Sequence, residues 1–148
     1  MNTRLLDFLS FTGYALMVVG IILLYMNGGL FSPSIIVIVA QVLAIMLMIW
    51  ARVTFGRRSF HATASPTTGG LVTTGPYQYL RHPIYAAGLL LTWAGVIGNL
   101  SVPNIAFGLL TFSGAMLRIV CEETLVKAQY PEYVEYARTA KRLIPFLF

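Results

Sequence analysis

Charged side chains are scarce in this 148-residue sequence, where they make up 10% of the residues and only five of them are acidic. Hydrophobic residues make up 57%, and the mean hydropathy is +0.77. An ordinary soluble domain carries roughly 25% charged residues. The shortage of charge therefore excludes that class and indicates a single domain embedded in a membrane.

Cysteine is also nearly absent. The lone Cys121 excludes an internal disulfide and makes a structural zinc site a poor interpretation, so we predict no metal and a small buried apolar side chain. The net charge of +5 comes without any nucleic-acid-binding motif. We therefore predict contacts with anionic lipid headgroups and none with nucleic acid.

Four apolar runs approach the roughly 20 residues that a membrane-spanning helix needs. They cover about residues 5–26, 33–50, 83–100 and 102–120. We predict an all-α integral membrane protein with four transmembrane helices and a cytoplasmic C-terminal helical segment. The alternative for the first run is a cleaved signal peptide, but Asp7 interrupts its start and no small-residue cleavage site follows.

The positions of lysine and arginine predict the orientation. They concentrate in the loop at residues 51–82 and in the tail at residues 121–148, whereas the hairpin loops at residues 27–34 and 97–103 carry no charge. The positive-inside rule then places the loop, the tail and both termini in the cytoplasm. We expect a prokaryotic cell membrane rather than the endoplasmic reticulum.

A polar cluster directly precedes the third run, in the stretch GPYQYLRHPIYAAG at residues 75–88. Pro83 suits the first position of a helix, where its missing N–H costs nothing. Arg81 and His82 then lie at a helix N-terminus, beside unpaired backbone N–H groups and the positive end of the helix dipole. This place favours an anionic ligand group.

The end of the fourth run carries a second group of ionisable residues. Arg118 and Glu122 are four residues apart and can pair on one helix face, whereas Glu123 points about 100° away. An ionisable residue inside a membrane-spanning helix, such as Arg118, suggests a functional role. The structural alternative is that Arg118 extends to the interface and only pairs with Glu122. Because two carboxylates disfavour a helix C-terminus, either the helix continues toward Ala128 or a cation compensates them.

Three tyrosines follow in the tail at every third residue, Tyr130, Tyr133 and Tyr136. This spacing favours an aromatic belt at the membrane interface. Ahead of them, Arg81 and His82 favour an anion, whereas the two adjacent glutamates favour a cation. A ligand that carries a carboxylate, an ammonium and a sulfonium needs both groups, and S-adenosylmethionine fits this description.

The same stretches resemble a known group of enzymes. GPYQYLRHPIYAAG, followed after a hydrophobic hairpin by EETLVKAQYPEYVEYARTAKRLIP, resembles the isoprenylcysteine carboxyl methyltransferase and phospholipid methyltransferase group of integral membrane enzymes. The resemblance covers roughly residues 71–145. Two departures are that the motif glycine falls one place late, at Gly88, and that Tyr130-Pro131 replaces the usual Phe-Gly.

The resemblance implies an S-adenosylmethionine site and a lipid or prenylated acceptor, with no prediction for the oligomeric state. A carboxylate acceptor is already ionised and needs only an orienting cation, Arg118, whereas an amine must lose a proton to a base such as Glu123 or His82. We assign catalysis to Arg118 and Glu123. The resemblance also implies a set of residues that contact the cofactor: Tyr77, Arg81, His82, Tyr85, Glu122, Tyr133, Tyr136, Arg138 and Arg142. The last four of these would lie near the adenine.

Two other classes of protein remain open at this stage. Membrane reductases of the steroid-reductase type share an Arg-His-Pro-x-Tyr-like element and use NADPH, although the adjacent glutamates argue against them. A non-enzymatic membrane scaffold would use the same residues only as a helix start and as ion pairs. Cofactor binding separates the three classes.

Overall fold

The computed structural model describes residues 3–56 and 70–144. Within these ranges the protein is all-helical apart from one isolated β-bridge and connecting turns. Five α-helices and a 3₁₀ turn at Gly75–Gln78 follow each other along the chain. The helices are α1 (Thr3–Met26), α2 (Ile35–Phe55), α3 (Pro83–Gly98), α4 (Val102–Gln129) and α5 (Tyr133–Thr139).

Three of these helices, α1, α2 and α4, are long and apolar enough to cross a membrane. The 16 residues of α3 form a shorter apolar helix, which at 1.5 Å per residue is about 24 Å long. The prediction of an all-α membrane protein is therefore confirmed. A full crossing by α3 and a cytoplasmic place for the tail stay predictions.

Two helices extend past the span limits predicted at about residues 50 and 120, and the span limits themselves stay predictions. Helix α2 continues to Phe55 with Arg52 in its last turn, where a cation suits the helix dipole, and it ends at Gly56 with φ +68°. Helix α4 continues to Gln129, because its two glutamates meet basic partners described below. Residues 57–69 of the predicted loop and 145–148 of the predicted tail lie outside the described residues.

Small residues bring α1 and α4 into close contact. A Cβ added to Gly13 would lie 2.7 Å from the carbonyl oxygen of Gly114, and one added to Gly114 would lie 2.6 Å from that of Gly13. Close backbone approach through glycine is how helices gain van der Waals contact in lipid. Nearer the start of α1, Leu6 packs against the buried Cys121. The apolar interpretation of Cys121 is confirmed.

Asparagines join the two uncharged hairpin loops at one end of the bundle. Asn27 Nδ2 donates to Asn104 Oδ1 over 2.8 Å, and Asn104 Nδ2 donates to the Asn99 carbonyl over 2.6 Å. Asn104 is only 3% exposed, and buried polar groups require such partners. The ion pairs of α3, α4 and the tail lie at the opposite end, and the orientation of the two ends stays a prediction.

We predict that Gly13→Ala lowers the thermal stability of the detergent-solubilised protein. The new methyl group clashes with the α4 backbone, and overpacking of this kind costs about 1–3 kcal/mol. Gly88→Ala is the matched control, since a Cβ there meets nothing within 4 Å and alanine is favoured over glycine in a helix by about 1 kcal/mol. Equal melting temperatures for the two variants would contradict this account of the α1–α4 contact.

Candidate active site

The approach to α3 is shaped by a glycine, a proline and a buried tyrosine. Gly75 has φ +58°, a left-handed conformation that glycine tolerates best. The 3₁₀ turn that it begins buries Tyr77, whose ring packs 5.4 Å from that of Phe55. His82 is the N-cap residue of α3, and Pro83 is its first residue. The predicted helix start is therefore confirmed.

The tail docks against this approach through backbone hydrogen bonds. The Arg81 N–H donates to the Lys141 carbonyl over 2.6 Å, and the His82 N–H donates to the Arg142 carbonyl over 3.1 Å. In return, the Lys141 N–H donates to the Tyr79 carbonyl over 3.0 Å. These bonds resemble one rung of a parallel sheet, and they make the tail a structural part of the site.

Glu123 lies at the centre of the charged cluster, with a side chain that is only 3% exposed. Its Oε1 lies 2.8 Å from Arg81 Nη1 and 3.2 Å from His82 Nε2, and its Oε2 accepts from Arg142 Nη2 over 3.0 Å. The hydrogen bonds to Glu123 raise the pKa of Arg142 above its ordinary value. One buried carboxylate thus connects the start of α3, the end of α4 and the tail.

Glu122 occupies a different environment from its neighbour. Its Oε1 accepts hydrogen bonds from Arg118 Nε over 3.0 Å and from the Tyr85 hydroxyl over 2.5 Å. Arg118 Nε also donates to the Tyr85 hydroxyl, and His82 Nδ1 lies 3.8 Å from Glu122 Oε2. The Glu122 side chain is 21% exposed. It is therefore the more accessible of the two carboxylates.

The predicted pairing of Arg118 with Glu122 is confirmed, but Arg118 does not extend along the surface. It is buried among α1, α3 and α4. Its Cζ lies 5.3 Å from the ring centroid of Tyr14, which sequence reasoning missed. Tyr14 belongs to no motif, and only its hydroxyl distinguishes it from the apolar residues around it.

The prediction of an interfacial belt is wrong for Tyr133 and Tyr136, because the tail folds back onto α3 and α4. Tyr133 is buried, and the Tyr136 hydroxyl donates to the Tyr77 carbonyl over 2.7 Å. Burial raises the pKa of Tyr133 to about 12 and also raises the pKa values of Tyr136 and Tyr77. All three phenols are therefore neutral at physiological pH.

Arg138 is the one residue of the predicted set that stands apart. Its side chain is 73% exposed and lies 3.0 Å from Glu135, which is equally exposed. Its contact with a cofactor stays a prediction. The structure brings the rest together in one cluster: Tyr77, Arg81, His82, Tyr85, Arg118, Glu122, Glu123, Tyr133, Tyr136 and Arg142.

Two polar atoms of the cluster are buried without a hydrogen-bond partner among the residues that the structure describes. They are the Tyr133 hydroxyl oxygen and Arg81 Nε. Buried polar groups in proteins are nearly always paired. The Tyr133 hydroxyl faces Arg81 and Glu123, which both act on its pKa, so Arg81 Nε is the buried atom that a polar ligand would satisfy.

Comparison with known proteins identifies the relatives of this chain. The phospholipid methyltransferase family model matches residues 33–133, which is more than half of the sequence. The chain belongs to this family. The matched range contains α2, α3 and α4 with the first motif and the beginning of the second, which confirms the resemblance that the sequence indicated, whereas α1 precedes it.

Three curated relatives match over about half of the chain. The chain is 33% identical over 84 residues to the cobalt-zinc-cadmium resistance protein CzcN of Cupriavidus metallidurans, covering 52% of this chain and 36% of the relative. It is 35% identical over 72 residues to methanethiol S-methyltransferase of Crocosphaera subtropica, covering 48% of this chain and 28% of the relative. It is 32% identical over 82 residues to the nickel-cobalt-cadmium resistance protein NccN of Alcaligenes xylosoxydans xylosoxydans, covering 52% of this chain and 37% of the relative.

The matched part is therefore only 28% to 37% of the length of these relatives. No solved structure matches the chain.

We predict that Glu123→Gln destabilises the protein and releases the tail. The substitution leaves Arg81, His82 and Arg142 facing a neutral side chain, and removing one partner of a buried ion pair costs about 3–5 kcal/mol. Glu135→Gln is the control, because an exposed pair contributes about 1 kcal/mol or less. Thermal unfolding and amide hydrogen exchange over residues 133–144 measure both effects. Indistinguishable behaviour of the two variants would rule out the proposed anchoring.

Proposed function

We propose that this protein transfers a methyl group from S-adenosylmethionine to a lipophilic acceptor, at the end of the bundle where its charged residues meet the membrane boundary. The observation that carries the proposal is the pair of adjacent glutamates on α4, one saturated by cations and one accessible. Membership of a methyltransferase family supports the reaction class. A relative named methanethiol S-methyltransferase supports it too.

The residues present fit S-adenosylmethionine, which when bound supplies an electrophilic methyl group on a sulfonium. Arg81 and His82, at the positive end of the α3 dipole, suit its carboxylate. Glu122 suits a cationic group because its carboxylate is partly exposed. Arg81 Nε, which is buried without a partner among the described residues, offers a further hydrogen bond.

The two glutamates take different roles in this proposal. Glu123 accepts from three basic groups, so its lone pairs are occupied and we assign it a positioning role in place of the catalytic one given to it above. Glu122 is the carboxylate left to face a ligand. If the acceptor has a proton to lose, Glu122 is placed to receive it.

We assign Arg118 to the part of the site that binds the methyl acceptor. It is held by Glu122 and Tyr85, so its orientation is fixed before an acceptor arrives. Preorganised placement of a charged group contributes to catalysis because little reorganisation is needed at the moment of reaction. An acceptor with a hydrocarbon tail would reach this depth from the lipid side.

Location and substrate class follow from the same arrangement. The exposed apolar faces of α1 and α2 suit contact with lipid tails. We place the protein in a prokaryotic cell membrane with both termini in the cytoplasm, and the bacterial relatives support the first part of this statement. A lipid or prenylated compound is the acceptor class that this depth favours.

We predict that the detergent-purified protein binds S-adenosylhomocysteine in calorimetry with micromolar affinity. His82→Ala and Glu122→Gln weaken binding at least about tenfold, because each removes a hydrogen bond to a charged group. Glu135→Gln keeps the wild-type affinity.

NADPH is the competing ligand, since family membership argues against the reductase alternative without testing the cofactor. A folded wild-type protein that binds NADPH and not S-adenosylhomocysteine would refute the proposed function. Unchanged affinity in both His82→Ala and Glu122→Gln would refute the placement of the site.

A further inference from the structure

We propose that Tyr14 of α1 is a positioning residue for the acceptor side of the site. Its ring holds the Arg118 guanidinium in place. An amphiphile with an anionic reacting group would pass the exposed edge of this ring to reach the guanidinium. This inference rests on the proposed methyl transfer. It concerns a helix that precedes residues 33–133, the range matched by the family.

The contact has the geometry of a cation–π interaction. Arg118 Cζ lies 5.3 Å from the Tyr14 ring centroid, within the roughly 6 Å over which such attraction acts. Arg118 Nε is meanwhile engaged by the Tyr85 hydroxyl and by Glu122. Side chains from α1, α3 and α4 thus contact one guanidinium group.

Gly13 explains how Tyr14 reaches this position. A Cβ on Gly13 would lie 3.1 Å from the backbone nitrogen of Arg118 and 3.3 Å from its Cβ. The backbone of α1 therefore lies directly against Arg118, and the next residue covers the side chain. An arginine side chain has many rotamers and tends to extend toward water at a membrane boundary. The Tyr14 ring opposes that movement.

Exposure connects this contact to the acceptor. Tyr14 is 44% exposed, whereas Arg118 beneath it is 5% exposed. Phe11, one turn earlier on α1, is 57% exposed and has no cation beneath it among the ring contacts of the described residues. The Tyr14 side chain, on the outer face of α1, therefore separates the lipid from a buried cation. Arg118 is paired with Glu122 through Nε, and a carboxylate or thiolate is the acceptor group that its guanidinium would orient.

The first test measures the accessibility of Arg118 in the full chain, reconstituted in nanodiscs. Phenylglyoxal modification of Arg118 is followed by mass spectrometry in Tyr14→Leu, Tyr14→Phe and the matched control Phe11→Leu. We expect Tyr14→Leu to accelerate modification about fivefold, within the range that a cation–π contact supports. Tyr14→Phe and Phe11→Leu stay near wild type. Equal rates in the two leucine variants would overturn the positioning role.

The second test asks whether an anionic amphiphile reaches Arg118. N-acetyl-S-farnesylcysteine is compared with its methyl ester for protection of Arg118 against phenylglyoxal. We expect the acid to protect the wild type at a concentration about tenfold lower than the ester, and Tyr14→Leu to remove that difference. Equal protection by acid and ester in the wild type would overturn the anionic class.

Affinity for S-adenosylhomocysteine separates this inference from the proposed function. We expect Tyr14→Leu to leave that affinity within about twofold of wild type, whereas loss of a contact on the donor side would weaken it about tenfold, or 1.4 kcal/mol. Loss of affinity parallel to loss of protection would place Tyr14 on the donor side and overturn the inference. Absence of binding by the wild type would instead refute the proposed function.

Discussion

The buried carboxylate of Glu123 is the interaction on which the charged end of this protein depends. A carboxylate with so little exposure is costly unless cations and hydrogen bonds replace its hydration. Arg81, His82 and Arg142 do so, and they come from two segments that are distant in sequence. Those basic groups would repel one another without the carboxylate between them. Docking of the tail and assembly of the charged cluster therefore depend on the same carboxylate.

Adjacent residues on one helix acquire opposite roles because a helix turns about 100° per residue. Glu123 faces the docked tail and is fully engaged, whereas Glu122 faces Tyr85 and Arg118 and keeps some exposure. In the function proposed above, a water-soluble methyl donor binds among the charged groups while an acceptor approaches from the lipid. Arg118, with Tyr14 over it, would then lie between donor and acceptor.

Local sequence patterns predicted the parts of the structure that local physics determines. Apolar runs located the helices, Pro83 located the start of α3, and the four-residue spacing located the pair formed by Arg118 and Glu122. The partners of Glu123 were not predictable in this way. His82 is 41 residues away and Arg142 is 19, and no periodicity connects them.

Tertiary contacts also explain one error and decide an alternative that the sequence left open. Tyr133 and Tyr136 have the spacing of an interfacial belt, but tail docking buries the first and hydrogen-bonds the second to the Tyr77 carbonyl. Continuation of the fourth helix toward Ala128 was one of two alternatives for the adjacent glutamates. In the structure, tertiary ion pairs neutralise the glutamates, so α4 continues to Gln129. The cofactor was suggested by paired charges and by a motif, neither of which identifies the acceptor.

A double-mutant cycle between Glu123 and Arg142 tests the central claim most directly, with the free energy of S-adenosylhomocysteine binding as the measured quantity. The account predicts that Glu123→Gln and the double variant lose similar amounts and that Arg142→Gln loses less, because Glu123 also holds Arg81 and His82. The coupling energy would then be about 1–3 kcal/mol, as for residues in one ion-pair network. Losses that simply add, with a coupling energy near zero, would show that the two residues act independently and would contradict the account.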